Sequence, residues 1–118
     1  MACGPFLLTL MHSQTNAHIL HLQTNSYAEH QALGAYYEGV DDLIDSFAEA
    51  YQGKYGIERD YPEEYYLPVA SPLQYMIGLL EYVTTNRADL PQDSELQNII
   101  DEIVSLIDST VYKLRFLK

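Results

Sequence analysis

The chain has few basic residues, one cysteine and no long apolar run. Lysine and arginine number 6 against 17 aspartates and glutamates in 118 residues, a formal charge of −11. A field of that sign repels phosphate backbones and draws in cations, so direct binding to nucleic acid is not expected. The basic residues near the end, Lys113, Arg115 and Lys118, suit the C-terminal end of a helix better than a DNA-binding arm. With Cys3 alone, no intrachain disulfide can close. That excludes a disulfide-stapled secreted scaffold and fits a reducing compartment. Cys3 itself reads as a bystander rather than a reactive thiol. No stretch approaches the ~20 apolar residues of a membrane span, and the negative charge disfavours a membrane surface. Residues 1–10 are apolar but carry no Lys or Arg, so they lack the charged front of a secretory signal. They read as the first turns of a buried helix.

What is present is helical periodicity. The length fits one domain, residues 1–118, with one hydrophobic core. A first helix is expected over about 5–23, with Pro5 at its first position and Leu7, Leu8, Leu10 and Met11 facing the core. A second is expected over about 27–52. Ser26 followed by Glu29 has the form of a capping box, and Leu33, Tyr36 or Tyr37, Val40, Ile44, Phe47 and Tyr51 recur at the helical period. Gly53 is expected to end it in the left-handed conformation. Residues 53–70 are rich in tyrosine, glutamate and proline. They are too long for a tight hairpin and read as a crossover along a bundle, with a short helix near 62–66. A third helix is expected over about 72–86, capped by Ser71 with Pro72 and Gln74. The fourth runs from 93 or 94 to about 116, with Leu96, Ile99, Ile100, Ile103, Val104, Ile107, Val111 and Leu114 as its stripe. No segment alternates with period two for long, so a β-rich fold is excluded. The expected fold is all-α, a four-helix bundle with a long crossover between helices 2 and 3.

Four residues carry the chemistry: His18, His30, Asp45 and Glu49. Imidazole with carboxylate is the donor mix that suits iron and other first-row divalent metals, and Asp45 and Glu49 lie one helical turn apart on one face. Asp41 and Asp42 read as a solvated face, with Asp41 able to support a ligand from behind. His12 and His21 read as polar helix positions, His21 being near enough to His18 to act as an outer ligand. Tyr37 lies one turn before Asp41.

In spacing, His18, His30, Asp45 and Glu49 resemble the ferroxidase signature of the Dps family, the ferritin-like mini-ferritins. The likeness is strong over residues 10–53, including Tyr27 shortly before His30, and weaker over the last helix. Members often carry a further carboxylate four residues after the second histidine, where this chain has Gly34, and a tryptophan after the first, where it has Ile19. The resemblance implies a ferritin-like bundle and a homo-oligomer, at least a dimer and up to a dodecameric shell. It implies a site shared across a two-fold contact, with His18 and His30 from one subunit facing Asp45 and Glu49 of its neighbour. The expected activity is that of a ferroxidase acting on Fe(II), for iron storage or detoxification, in the cytoplasm of a bacterial or phage-infected cell. Zn or Mn are alternative metals for the same donors. The chain lacks the lysine-rich tail that several members use on DNA, so DNA compaction is not expected. The alternative is a non-catalytic acidic interaction protein that keeps the fold without the iron chemistry. In that role it is similar to bacteriophage accessory proteins and could bind a virion or host protein, or mimic the charge of DNA.

Overall fold

Four helices account for almost all regular structure in the computed structural model, which describes residues 3–118. They are α1 (Gly4–Gln23), α2 (Tyr27–Tyr55), α3 (Pro72–Asn86) and α4 (Ser94–Phe116), with a short 3-10 helix, Arg87–Asp89, between the last two. No strand occurs among the described residues. Met1 and Ala2, at the front of the apolar opening, lie outside them.

The helix starts follow their capping residues. The Ser26 side chain accepts the Glu29 N–H at 3.2 Å, and Ser71 does the same for Gln74 at 3.3 Å. Each satisfies one of the unpaired N–H groups of a first turn. The reciprocal half of the box at Ser26 is made indirectly. Thr24 Oγ1 accepts the Ser26 N–H at 3.0 Å and donates to the Glu29 carboxylate at 2.5 Å.

The end of α2 differs from expectation. The helix runs through Gly53 to Tyr55, and the glycine with positive φ is Gly56, at 93°. The last turn is held from outside. Lys54 Nζ bonds Asp93 at 2.7 Å and Glu95 at 2.9 Å, and the Tyr55 hydroxyl donates to Asp93 at 2.6 Å. At about 1.5 Å per residue, 29 residues span about 44 Å, which matches the 43 Å long axis of the molecule.

The helices pack so that α1 touches α2 and α3, and α4 touches the same two. Lys54 and Asp93 join the end of α2 to the start of α4. Lys113 and Leu117, at the end of α4, lie beside Tyr27 at the start of α2. Asn16, late in α1, bonds Tyr75, early in α3, at 3.1 Å. Neighbouring helices are therefore antiparallel, and α2 and α3 are parallel. Parallel helices cannot be joined by a tight turn, which is why residues 57–70 run the length of the bundle.

The core is continuous across all four helices, through Leu7, Leu10, Leu33, Tyr36, Val40, Phe47, Met76, Val83, Leu96, Ile100, Ile103 and Ile107. Full burial of such side chains contributes roughly 1.5–3 kcal/mol each. Of the two adjacent tyrosines, Tyr36 is the core residue and Tyr37 is half-buried. The Tyr36 hydroxyl is paired with Ser13 Oγ at 2.7 Å, so its polar atom is satisfied inside the core. Met11, expected inside, is exposed, and Phe6 and Leu79 are buried instead. No described helix is long and apolar enough to cross a membrane.

The crossover is extended throughout, and the short helix expected near 62–66 is absent. Side chains pin the segment to the bundle. The Glu58 carboxylate accepts the Cys3 N–H at 3.3 Å, the Glu58 N–H donates to Gln52 at 3.0 Å, and the Tyr65 hydroxyl donates to Asn16 at 2.6 Å. At Gly4 the crossover backbone comes so close that a Cβ would sit 2.0 Å from the Asp60 carbonyl oxygen. Those pins hold an extended path where a local helix would have pulled the chain off its anchors. The Cys3 thiol is buried against this junction. Burial, helped by the nearby Glu58 carboxylate, pushes it up to about 12, so it stays protonated and unreactive.

Candidate functional site

The histidines gather at one corner, where α1 ends and α2 begins. The turn between the helices has only three residues, 24–26, so the last turns of α1 lie against the first turns of α2. His21 and His30 face each other there with ring centroids 3.5 Å apart and planes 19° from parallel. His18, one turn earlier on α1, stacks on Tyr37 at 4.3 Å. Tyr37 also meets the His21 ring edge-on at 5.3 Å. Thus His18 and His30 do belong to one cluster, with His21 and Tyr37 as the links.

The His21–His30 contact is reciprocal. His21 Nδ1 lies 2.6 Å from the His30 carbonyl oxygen, and His30 Nδ1 lies 2.9 Å from the His21 carbonyl oxygen. A carbonyl only accepts, so each Nδ1 carries the hydrogen. In the neutral ring this leaves Nε2 with the free lone pair, the tautomer a metal-binding histidine uses when a carbonyl holds its other nitrogen. The same bonds have a structural use. The His21 carbonyl is among the last four of α1, which lack helical partners, and His30 supplies one.

Gly34 lets the His21 ring sit close against α2. A Cβ at that position would lie 3.3 Å and 3.4 Å from His21 ring atoms. The place where the resemblance suggests a carboxylate is therefore taken by an imidazole from α1. The spacing of His21 to His30 across a short turn was available in the sequence. The fit between the missing side chain at 34 and the ring at 21 had no sequence signal.

Asp45 and Glu49 stand elsewhere. Both are exposed on the outward face of α2, with Glu38, Asp41 and Asp42. Among the described residues the ion-paired carboxylates are Asp93, Glu95 and Asp101, and neither acid is one of them. Asp45 is 15 residues beyond His30 on the same straight helix, about 22 Å along its axis. The structure thus places His18 and His30 at one corner with His21 between them, and the two acids on one face further along α2. Among the described residues no group of three or more His, Cys, Asp or Glu side chains could hold a metal ion within one chain. An open depression of ≈ 300 Å³, lined by Thr24, Asn25, Ser26, Tyr27 and His30, reaches the clasp from outside.

His12 lies apart from this corner, edge-on to Tyr65 at 4.7 Å. Together with Asn16, Tyr65 and Tyr75 it belongs to the anchoring of the crossover. That network escaped the sequence reading, because its members come from three separate segments.

Comparison with curated proteins and with solved structures found no match. Residues 21–114 match the model of a family of unknown function, DUF5856, and the chain belongs to that family.

Proposed function

We propose that this protein is a ferritin-like bundle whose metal chemistry takes place between two copies of the chain, with Fe(II) as substrate. His18 and His30 of one copy and Asp45 and Glu49 of the other are the ligands. One observation carries the reading. The imidazoles cluster where α1 meets α2, the acids lie exposed further along α2, and among the described residues the acids have no ion-pair partner. Exposed carboxylates one turn apart gain most from a cation that a second chain helps to hold. The antiparallel neighbours and the long crossover between parallel α2 and α3 are the topology that ferritin-like bundles use. The surplus of acid raises the local concentration of divalent cations. Zn or Mn suit the same donors. The oxidant would be dioxygen or peroxide, and the product a ferric mineral.

The test is complementation. Fe(II) is added in air to wild type, to His30→Ala, to Asp45→Ala and to an equal mixture of the two variants, and ferric absorbance in the near ultraviolet is followed. Each variant alone is expected to be inactive. The mixture regains part of the activity, because a mixed pair of chains contains one intact site. An inactive wild type, or variants as active as wild type, overturns the reading.

A second reading has its own observation. His21 and His30 are already engaged with each other, and His18 with Tyr37. That corner is complete as a helix clasp without any metal. On this reading the protein is a non-catalytic acidic interaction protein, and the outward carboxylates of α2 serve a protein partner. Wild type that neither binds nor oxidises Fe(II) favours it.

A further inference from the structure

The crossover is attached to the bundle differently from the helices. None of residues 57–70 is buried, and the apolar Ile57, Leu67 and Val69 are exposed. Among the described residues, 57–70 make no backbone–backbone hydrogen bond. The segment therefore gains little from the two terms that hold the helices, apolar burial and a bonded main chain. Polar contacts at two places hold it instead. At its front the Glu58 carboxylate accepts the Cys3 N–H, and the Asp60 carbonyl lies against Gly4. Further along, the Tyr65 hydroxyl donates to Asn16 Oδ1 at 2.6 Å, and the Tyr65 ring meets His12 edge-on.

The two places are mechanically joined. The chain between them has no helix or turn. Pro62 fixes one of its dihedrals, and the Glu58 carboxylate bonds the Asp60 N–H at 3.0 Å. A short proline-bearing stretch of this kind acts as a semi-rigid spacer. One end has a pivot, because Gly56 stands at φ 93° with nothing within 4 Å of an added Cβ. What the crossover covers is polar. Asn16 is buried, and its amide is shared between two phenols: Oδ1 accepts from Tyr65, and Nδ2 donates to Tyr75 at 3.1 Å. Cys3 is fully buried at the front junction.

We propose that the crossover is a strap that lifts from the α1–α3 side as one unit, pivoting at Gly56, while the four helices stay packed. Tyr65 is the latch. Closed, the strap seals Asn16 and Cys3. Open, it presents the seam between α1 and α3 to solvent, and water takes over the bonds that Tyr65 and Glu58 made. Segments held by few buried contacts are the ones that open well below the free energy of global unfolding. The strap uses none of His18, His30, Asp45 or Glu49, and stands or falls apart from the metal reading.

Cys3 is the chain's single cysteine, so the rate of its reaction with an aromatic disulfide reagent reads the opening. Rates are measured at mildly alkaline pH over a series of low urea concentrations, for wild type, Tyr65→Phe and Ile103→Val. Ile103 is fully buried on α4, so its variant loosens the bundle and leaves the latch intact. A lifting strap exposes little surface, so the wild-type rate should hardly change with urea below the unfolding transition. Tyr65→Phe leaves Asn16 Oδ1 without its phenol in the closed form, and should speed labelling by about 5- to 30-fold. Ile103→Val should stay within about twofold of wild type. Hydrogen exchange read by mass spectrometry should show the helical amides equally protected in wild type and Tyr65→Phe. Fraying of the first turn of α1 would also free Cys3, but it would not respond to Tyr65, which contacts His12 and Asn16. Equal labelling of wild type and Tyr65→Phe therefore overturns the proposal. So does a rate as steep in urea as global unfolding, an Ile103→Val variant that labels as fast as Tyr65→Phe, or a loss of helical protection in Tyr65→Phe.

Discussion

The two halves of α2 are built alike on the inside and differently on the outside. Leu33, Tyr36 and Val40 in the first half, and Ile44, Phe47 and Tyr51 in the second, bury one continuous stripe. Beside that stripe, His30, Gly34 and Tyr37 interlock with His18 and His21 of α1. In the second half Asp41, Asp42, Asp45 and Glu49 face outward and exposed. The difference bears on function. Each histidine has a structural reason within one chain, so its presence alone says little about metal. The paired acids have none, and a one-turn pair of like charges is mildly destabilising by itself. Residues without a structural role are the stronger pointers to a partner or an ion.

Breaking the shared inner stripe should have the largest effect. Phe47 is fully buried and packs on Phe6 at 5.5 Å. Phe47→Ala is expected to cost about 3–5 kcal/mol, through lost burial and the cavity left behind, measured by urea unfolding. A loss as small as that of a surface substitution would mean that the acidic half of α2 is not anchored as described.

Next is the clasp. His30→Ala removes the ring from the stack and frees the His21 carbonyl, while His21 Nδ1 keeps its bond to the main-chain carbonyl of residue 30. A loss of about 1–3 kcal/mol follows from the lost bond and the unsatisfied acceptor. Asp45→Asn with Glu49→Gln is expected to leave stability unchanged or raise it by a few tenths of a kcal/mol, through relief of like charges. Equal losses for the two sets of variants would erase the contrast between the halves of the helix.

Two glycines of α2 sharpen the comparison further. Gly53 meets nothing within 4 Å of an added Cβ, whereas at Gly34 the His21 ring stands at 3.3 Å. Gly53→Ala should stabilise by up to about 1 kcal/mol through helix propensity. Gly34→Ala should gain less, because the ring has to shift, and the His21 and His30 imidazole resonances should move with it. A larger gain at 34 than at 53 would argue that His21 is loosely held.

The helices were legible because a single local rule, apolar recurrence at three and four residues, coincides with tertiary burial in α2 and α4; in α1 it breaks at Met11, which is exposed, and at Ser13 and Asn16, which are buried. Ser26 and Ser71 announced two starts for the same reason, since a cap acts on its own first turn. The end of α2 was not legible. Gly53 has the right residue type, but the last turn is held by Asp93, 38 and 39 residues away in sequence from Tyr55 and Lys54. The crossover failed likewise. A short helix near Pro62 was locally plausible, and the pins at Cys3, Gly4 and Asn16 overrode it. Of the candidate site, the gathering of His18 with His30 could be read from spacing across a turn. The separation of Asp45 from both follows from helix geometry alone. The clasp through His21 uses room at Gly34 that no pattern of present residues reveals.

The smallest effect concerns the junction that lengthens α2. Lys54 and the Tyr55 hydroxyl, in that order, hold the Asp93 carboxyl below its ordinary range. A carboxyl lowered on folding contributes stability at pH above its unfolded value, and that contribution fades as pH falls through the folded one. Lys54 is raised by Asp93 first and Glu95 second, so its share persists to alkaline pH and is lost only where the lysine deprotonates. Between those limits both partners are charged and the junction is at full strength. The pairs are solvent-exposed and screened, so the effect is small and falls with added salt. The Tm of wild type should exceed that of Asp93→Asn slightly at neutral pH, with the gap closing as the solution is acidified and as salt is added. A gap that widens in acid would mean that the Asp93 carboxyl is raised on folding instead of lowered, and that Lys54 and Tyr55 do not hold it as described.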